Sequence, residues 1–198
     1  GVTSNSVSFT TLSAETTSPT ISFVSPEDGG IGQYVTIGGS GFGGSVGAVY
    51  FDNQSSGYRG LGSDDFPEAC SDSYWSDSEI TIIVPESYTN TLDVETTTHD
   101  VMVVTRSGED SNTVEFTIST AEPTAGICAL SPDSGLPGDE VTIYGEHLGT
   151  SAGSAAFYNE ASATVATDGW YDSSIVVTVP TLAETGALSI TTASLEES

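Results

Sequence analysis

Residues 25–53 and 131–159 align without a gap at a constant offset of 106, and no other feature of the chain constrains its fold as strongly. Ser25, Pro26, Gly29, Gly32 and Phe51 recur as Ser131, Pro132, Gly135, Gly138 and Phe157, and Val35-Thr36-Ile37 recurs as Val141-Thr142-Ile143. Two copies of one unit call for two copies of one fold. The 198 residues suffice for two small domains, each with a modest core.

Within the units apolar residues alternate with polar ones, as at Val114, Phe116 and Ile118, which is the period of a half-buried strand. No segment sustains a 3.6-residue apolar period, so the fold class is all-β, with helix nearly absent.

A second repeat runs almost in step with the first. Residues 1–15 return as residues 108–122, with Ser4, Asn5, Val7, Phe9, Thr10, Ala14 and Glu15 unchanged. In the later copy the segment follows a strand-like run at 100–105 and a turn at Ser107-Gly108, so it reads as a closing strand. In the earlier copy Val7, Phe9 and Thr11 keep the alternation with no sandwich ahead of them. At the other end, residues 188–198 align on 101–111, the run that precedes the closing strand. The expectation is one closing strand too many at the start and one too few at the end. A start at Gly1 rather than Met fits a processed product or an excised piece.

Charge narrows the partners. The 28 Asp and Glu stand against Arg59, Arg106 and no Lys, for a formal net charge of -26. Phosphate recognition needs clustered Lys or Arg, which excludes nucleic acid and anionic membranes as partners. No apolar run approaches the roughly 18 residues of a membrane span, so no membrane insertion is expected. Cys70 and Cys128 are the only cysteines. They allow one disulfide, two free thiols or a bridge between subunits, and they rule out a cysteine zinc site. A Cys70–Cys128 bridge is the expectation, because a surface protein meets oxidising conditions.

The stretches SPEDGGIGQYVTIGGSGFGGSVGAVYF and SPDSGLPGDEVTIYGEHLGTSAGSAAF resemble the opening half of IPT/TIG domains. The later half of that pattern is met at Trp75-Ser76-Asp77-Ser78-Glu79-Ile80 through Val84-Pro85, and at Trp170-Tyr171-Asp172-Ser173-Ser174-Ile175 through Val179-Pro180. The resemblance implies two tandem immunoglobulin-like β-sandwiches, at 19–120 and 121–198, preceded by an N-terminal donor strand and linker at 1–18. The family hosts cell-surface receptors, transcription factors, starch-active enzymes and microbial surface proteins, so the resemblance speaks for fold and not for one function.

Candidate site residues are few. Between Asn53 and Trp75 the first unit carries 11 residues more than the second carries between Asn159 and Trp170, and long loops on a rigid scaffold commonly carry function. This insert holds Asp64, Asp65, Glu68 and Asp72, hard oxygen ligands of the kind calcium takes, though their spacing is not that of an EF-hand. No other cofactor is expected. His99 and His147 have no nucleophile in a recognisable motif nearby, so no enzyme activity is expected. Trp75 and Trp170 stand at equivalent positions before a strand, which favours packing over a sugar-stacking platform.

The resulting expectation is a structural subunit of an extracellular, cell-surface filament, whose partners are copies of itself joined head-to-tail. In that reading Asn5, Val7, Phe9, Thr11 and Leu12 of one subunit complete the second domain of the next. The alternatives are one repeat of a long adhesin or stalk, or a carbohydrate- or protein-binding immunoglobulin-like module.

Overall fold

The computed structural model of the chain describes residues 18–53, 58–66, 70, 74–86 and 98–193. Asn5, Val7, Phe9, Thr11, Leu12, Glu68 and Asp72 lie outside the described residues.

The first domain is built from β1 (Thr20–Ser25), β2 (Asp28–Gly29), β3 (Tyr34–Ser40), β4 (Ala48–Asn53), β5 (Tyr58–Leu61), β6 (Glu79–Ile83), β7 (Thr98–Val104) and β8 (Asp110–Ile118). One sheet has the order β1-β3-β6 and the other β2-β8-β7-β4-β5, the two layers of an immunoglobulin-like sandwich. Alternation sets which side chains face inward: Val101 and Val103 on β7 are buried, and Met102 between them is only half-buried. Phe42 plugs one end, and Phe51 and Phe116 meet edge to face across the core with centroids 5.6 Å apart.

The second domain comprises β9 (Gly126–Ser131), β10 (Glu140–Glu146), β11 (Ser154–Phe157), β12 (Ala161–Ser162), β13 (Thr164–Tyr171), β14 (Ser174–Thr178) and β15 (Ser189–Thr191), with a 3-10 turn at Tyr158–Glu160. Its sheets run β13-β14-β10-β9 and β12-β11-β15. The duplication is preserved down to strand register. Ser25 pairs with Thr36 and Val24 with Ile37, as Ser131 pairs with Thr142 and Leu130 with Ile143. Both copies have a cis Ser-Pro bond, at Pro26 and at Pro132.

The corner after β3 in the first domain and after β10 in the second is also held in the same way. Gly43 N–H donates to Asp77 Oδ1 and Trp75 Nε1 to the Gly43 carbonyl, at 2.9 and 3.0 Å. In the second copy Gly149 N–H donates to Asp172 Oδ1 and Trp170 Nε1 to the Leu148 carbonyl, both at 2.9 Å. The tryptophans therefore pin corners. His147 adopts φ 56° where its counterpart Gly41 has φ 76°, a turn position that a non-glycine side chain occupies at some cost. His99 is buried within β7.

Candidate functional site

Two places in the molecule are built in a way that its duplicated scaffold does not require. The first is the seam between the domains. Only residues 119–125 separate β8 from β9, and the seam is tied on both sides of that short link. Gln33 is buried, and its Oε1 accepts hydrogen bonds from the backbone N–H and the hydroxyl of Thr124, at 2.7 and 3.0 Å. Its Nε2 donates to the Tyr34 carbonyl at 3.1 Å, so one side chain of the first domain holds the entry to the second. Gly126 allows the close approach: a Cβ there would stand 2.5 Å from that of Tyr34.

The insert closes the other side. Cys70 is bonded to Cys128 on β9, with their Cα atoms 5.5 Å apart. Around this bridge lies a small core of Tyr34, Phe66, Ile83, Ala129 and Tyr144, drawn from both domains. Phe66 meets Tyr34 edge to face at 5.3 Å and Tyr74 at the same distance. The insert, which its length suggested as a free functional loop, is in its described part a clasp over the joint.

The carboxylates of the insert are spread along this clasp. Asp64 and Asp65 are exposed, and Asp64 Oδ2 accepts a 3.0 Å hydrogen bond from the Tyr74 hydroxyl. Among the described residues no group of three or more His, Cys, Asp or Glu is placed to hold a metal ion. Burial and the adjacent Asp64 raise the Tyr74 pKa above its ordinary value. The Tyr34 hydroxyl is more deeply placed: it is buried without a completed hydrogen bond, beside the Glu146 carboxylate. Burial first, and the charge of Glu146 second, raise the phenol well above its ordinary range. A groove of about 440 Å³ opens along the seam, lined by Leu61, Ser63, Asp65, Glu86, Glu146 and His147 among others.

The second place is a face of the second sandwich that the described residues cover less fully than its counterpart in the first. In the first domain β8 pairs with β7 on one side and, in parallel, with β2 on the other. It drives Phe116 and Ile118 into the core, both fully buried. Among the described residues β15, the counterpart of β7, has β11 as its only strand partner, and Ser134-Gly135, the counterpart of β2, pairs with no strand. The same core positions record the consequence. Val24, Phe51 and Val101 are at most 4% exposed, whereas their counterparts Leu130, Phe157 and Leu188 are only half-buried. Between them opens a cavity of about 270 Å³, walled by Leu130, Pro132, Phe157, Val179 and Leu188. Leu136 and Leu182, 73% and 79% exposed, stand next to its lining residues. Sequence alignment drew attention to this face of the second domain. The apolar core around the expected Cys70–Cys128 bridge escaped it, because nothing local marks Tyr34 and Phe66 as neighbours of Tyr144.

Comparison with known proteins gives the second domain a family. Residues 125–196 match the IPT/TIG domain. No curated protein matches the chain. Among solved structures, a gamma-CGTase from alkalophilic Bacillus clarkii is similar at 18% identity and a TM-score of 0.39, over 84% of this chain and 22% of that one. The surface glycan-binding protein PbSGBP-B from Prevotella bryantii is similar at 14% identity and a TM-score of 0.31, over 82% and 36%. The Bacteroides ovatus mixed-linkage glucan utilization locus SGBP-B, in complex with a mixed-linkage heptasaccharide, is similar at 12% identity and a TM-score of 0.32, over 79% and 34%. The chain thus spans between about a fifth and two fifths of these proteins' lengths.

Proposed function

We propose that this chain, whose second domain is an IPT/TIG domain, is a rigid, non-catalytic immunoglobulin-like module of an extracellular surface protein, one repeat of a stalk or adhesin. The first sandwich, which repeats the register of the second strand for strand, is read as a divergent second member of the same family. The observation that carries the reading is the seam. A spacer needs joints that do not bend, and here a short link, the Gln33 clamp, a shared apolar cluster and a disulfide all resist bending. The disulfide also supports an oxidising, extracellular location. Spin labels on β5 and β13, read by pulsed dipolar spectroscopy, are expected to give one narrow distance distribution. A broad distribution in the unreduced protein would reject the spacer reading.

A second reading, contact with carbohydrate, is favoured by the groove at the seam. Asp65, Glu86 and Glu146 line it with carboxylate acceptors suited to sugar hydroxyls, and the half-exposed Leu61 adds apolar surface. Saturable binding on a glycan array, abolished by Asp65→Ala and Glu146→Ala with the fold intact, would favour this reading. No binding leaves the spacer role standing alone.

A further inference from the structure

We propose that the groove at the seam takes an amino sugar, whose ammonium group is held by Glu146 and Tyr34. This rests on the carbohydrate reading of the groove and narrows it from sugars in general to sugars with a free amine.

Tyr34 is 4% exposed, and its hydroxyl is the one buried side-chain oxygen or nitrogen among the described residues that has no hydrogen-bond partner. Its placement is fixed from two sides. The Cβ end is seated over Gly126, where an added Cβ would stand 2.5 Å away, and Phe66 meets the ring edge-on at 5.3 Å. The hydroxyl end is thereby turned to Glu146, and both residues line the groove. A buried hydroxyl left unpaired lowers stability, and a ligand that offers it a partner recovers that loss on binding.

Charge selects the ligand. Asp65 and Glu86 from the first domain and Glu146 from the second line the same groove, and its described lining residues include no Lys or Arg. Uronic and sulfated sugars would be repelled here, and by the net charge of -26 beyond it. A bare metal ion is no better served, since no three His, Cys, Asp or Glu among the described residues converge on a point. What the three carboxylates share is a volume of about 440 Å³, the size of a small-molecule site. An ammonium group has three N–H donors, so between Glu146 and Tyr34 it can donate to the carboxylate and to the phenol oxygen together. The sugar ring then lies along Leu61, Ile83 and Val84, and Asp65 and Glu86 accept from its hydroxyls. A lysine side chain brings the same ammonium, but its aliphatic stem gives Asp65 and Glu86 nothing to accept.

The test is isothermal titration calorimetry of the 198-residue protein at about pH 5.5, where the carboxylates and the sugar amine are both charged. A glucosamine tetramer is expected to bind saturably, about tenfold or more tighter than its N-acetylated form and than a glucose tetramer. Glu146→Gln should weaken the glucosamine tetramer about tenfold and Tyr34→Phe severalfold, with circular dichroism confirming the fold. Glu140→Gln, exposed at the other end of β10, removes the same charge from the chain and should leave the affinity unchanged. Equal weakening by Glu140→Gln would mean diffuse attraction to an acidic chain, and it overturns the proposal. An unchanged affinity in Glu146→Gln or in Tyr34→Phe does the same. Neutral tetramers that bind as tightly as the glucosamine tetramer overturn the amino-sugar assignment and leave the carbohydrate reading standing, whereas no binding by any tetramer removes both. A lysine tripeptide that binds more tightly than the glucosamine tetramer also overturns the assignment and gives the groove to a basic protein partner.

Discussion

At the scale of single residues, the seam holds an internal tension. The Tyr34 hydroxyl is buried beside Glu146 with no completed hydrogen bond, and an unpaired buried hydroxyl costs about 1–3 kcal/mol. Tyr34→Phe removes that cost while keeping the ring against Phe66 and Gly126. It is expected to leave stability unchanged or raise it by about 1 kcal/mol in urea titrations at pH 7. The raised pKa also sets a direction at high pH. A phenol above its ordinary 10.0 in the folded chain holds its proton more tightly folded than unfolded. Its contribution is therefore complete below pH 10 and is lost as pH rises further. The melting temperature of the wild type is expected to fall more steeply than that of Tyr34→Phe between pH 10 and 11.5. Parallel curves would show that the phenol does not titrate with unfolding.

Individual strands read well from the chain, and their completion can be weighed by paired substitutions. Phe116→Ala empties a fully covered core and should cost about 3–5 kcal/mol. Phe157→Ala removes a ring that is only half-buried and should cost less than about 3 kcal/mol. Equal costs in denaturant titrations would mean that Phe157 is packed as fully as Phe116. The same contrast explains what was legible. Val35-Thr36-Ile37 and its repeat reveal strands because alternation is local, and the ungapped repeat reveals two like units because a duplicated chain supplies its own reference. Phe66 and Tyr74 lie in an insert without a counterpart, so no internal comparison shows what they touch. Their role emerges only when the second domain is brought against them. His99 shows a smaller miss: the strand-like run reads from 100, and β7 already begins at Thr98, with His99 paired to Phe116 on β8.

For the molecule as a whole, rigidity and charge pull in opposite directions. The Cys70–Cys128 bridge spans a sequence separation of 58, which by loop entropy alone restricts the unfolded chain by about 4 kcal/mol. Double substitution to Ser should lower stability by up to that amount and broaden the interdomain distances measured between β5 and β13. Against this cohesion stands a net charge of -26, borne by two small sandwiches whose described acidic residues are largely exposed. Repulsion of that kind is long-ranged at low salt. The screening length falls from about 30 Å at 0.01 M to about 3 Å at 1 M, so the melting temperature should climb steadily with NaCl. Calcium separates screening from a site. Asp64 is engaged by Tyr74, and Asp65 lines the groove at the seam rather than joining a ligand cluster. Calcium chloride at matched ionic strength is therefore expected to stabilise the chain no more than divalent screening does, as magnesium chloride would report. A calcium-specific excess, reversed by chelation and removed by Asp65→Asn, would instead place Asp64, Asp65, Glu68 and Asp72 around an ion and make the clasp calcium-dependent.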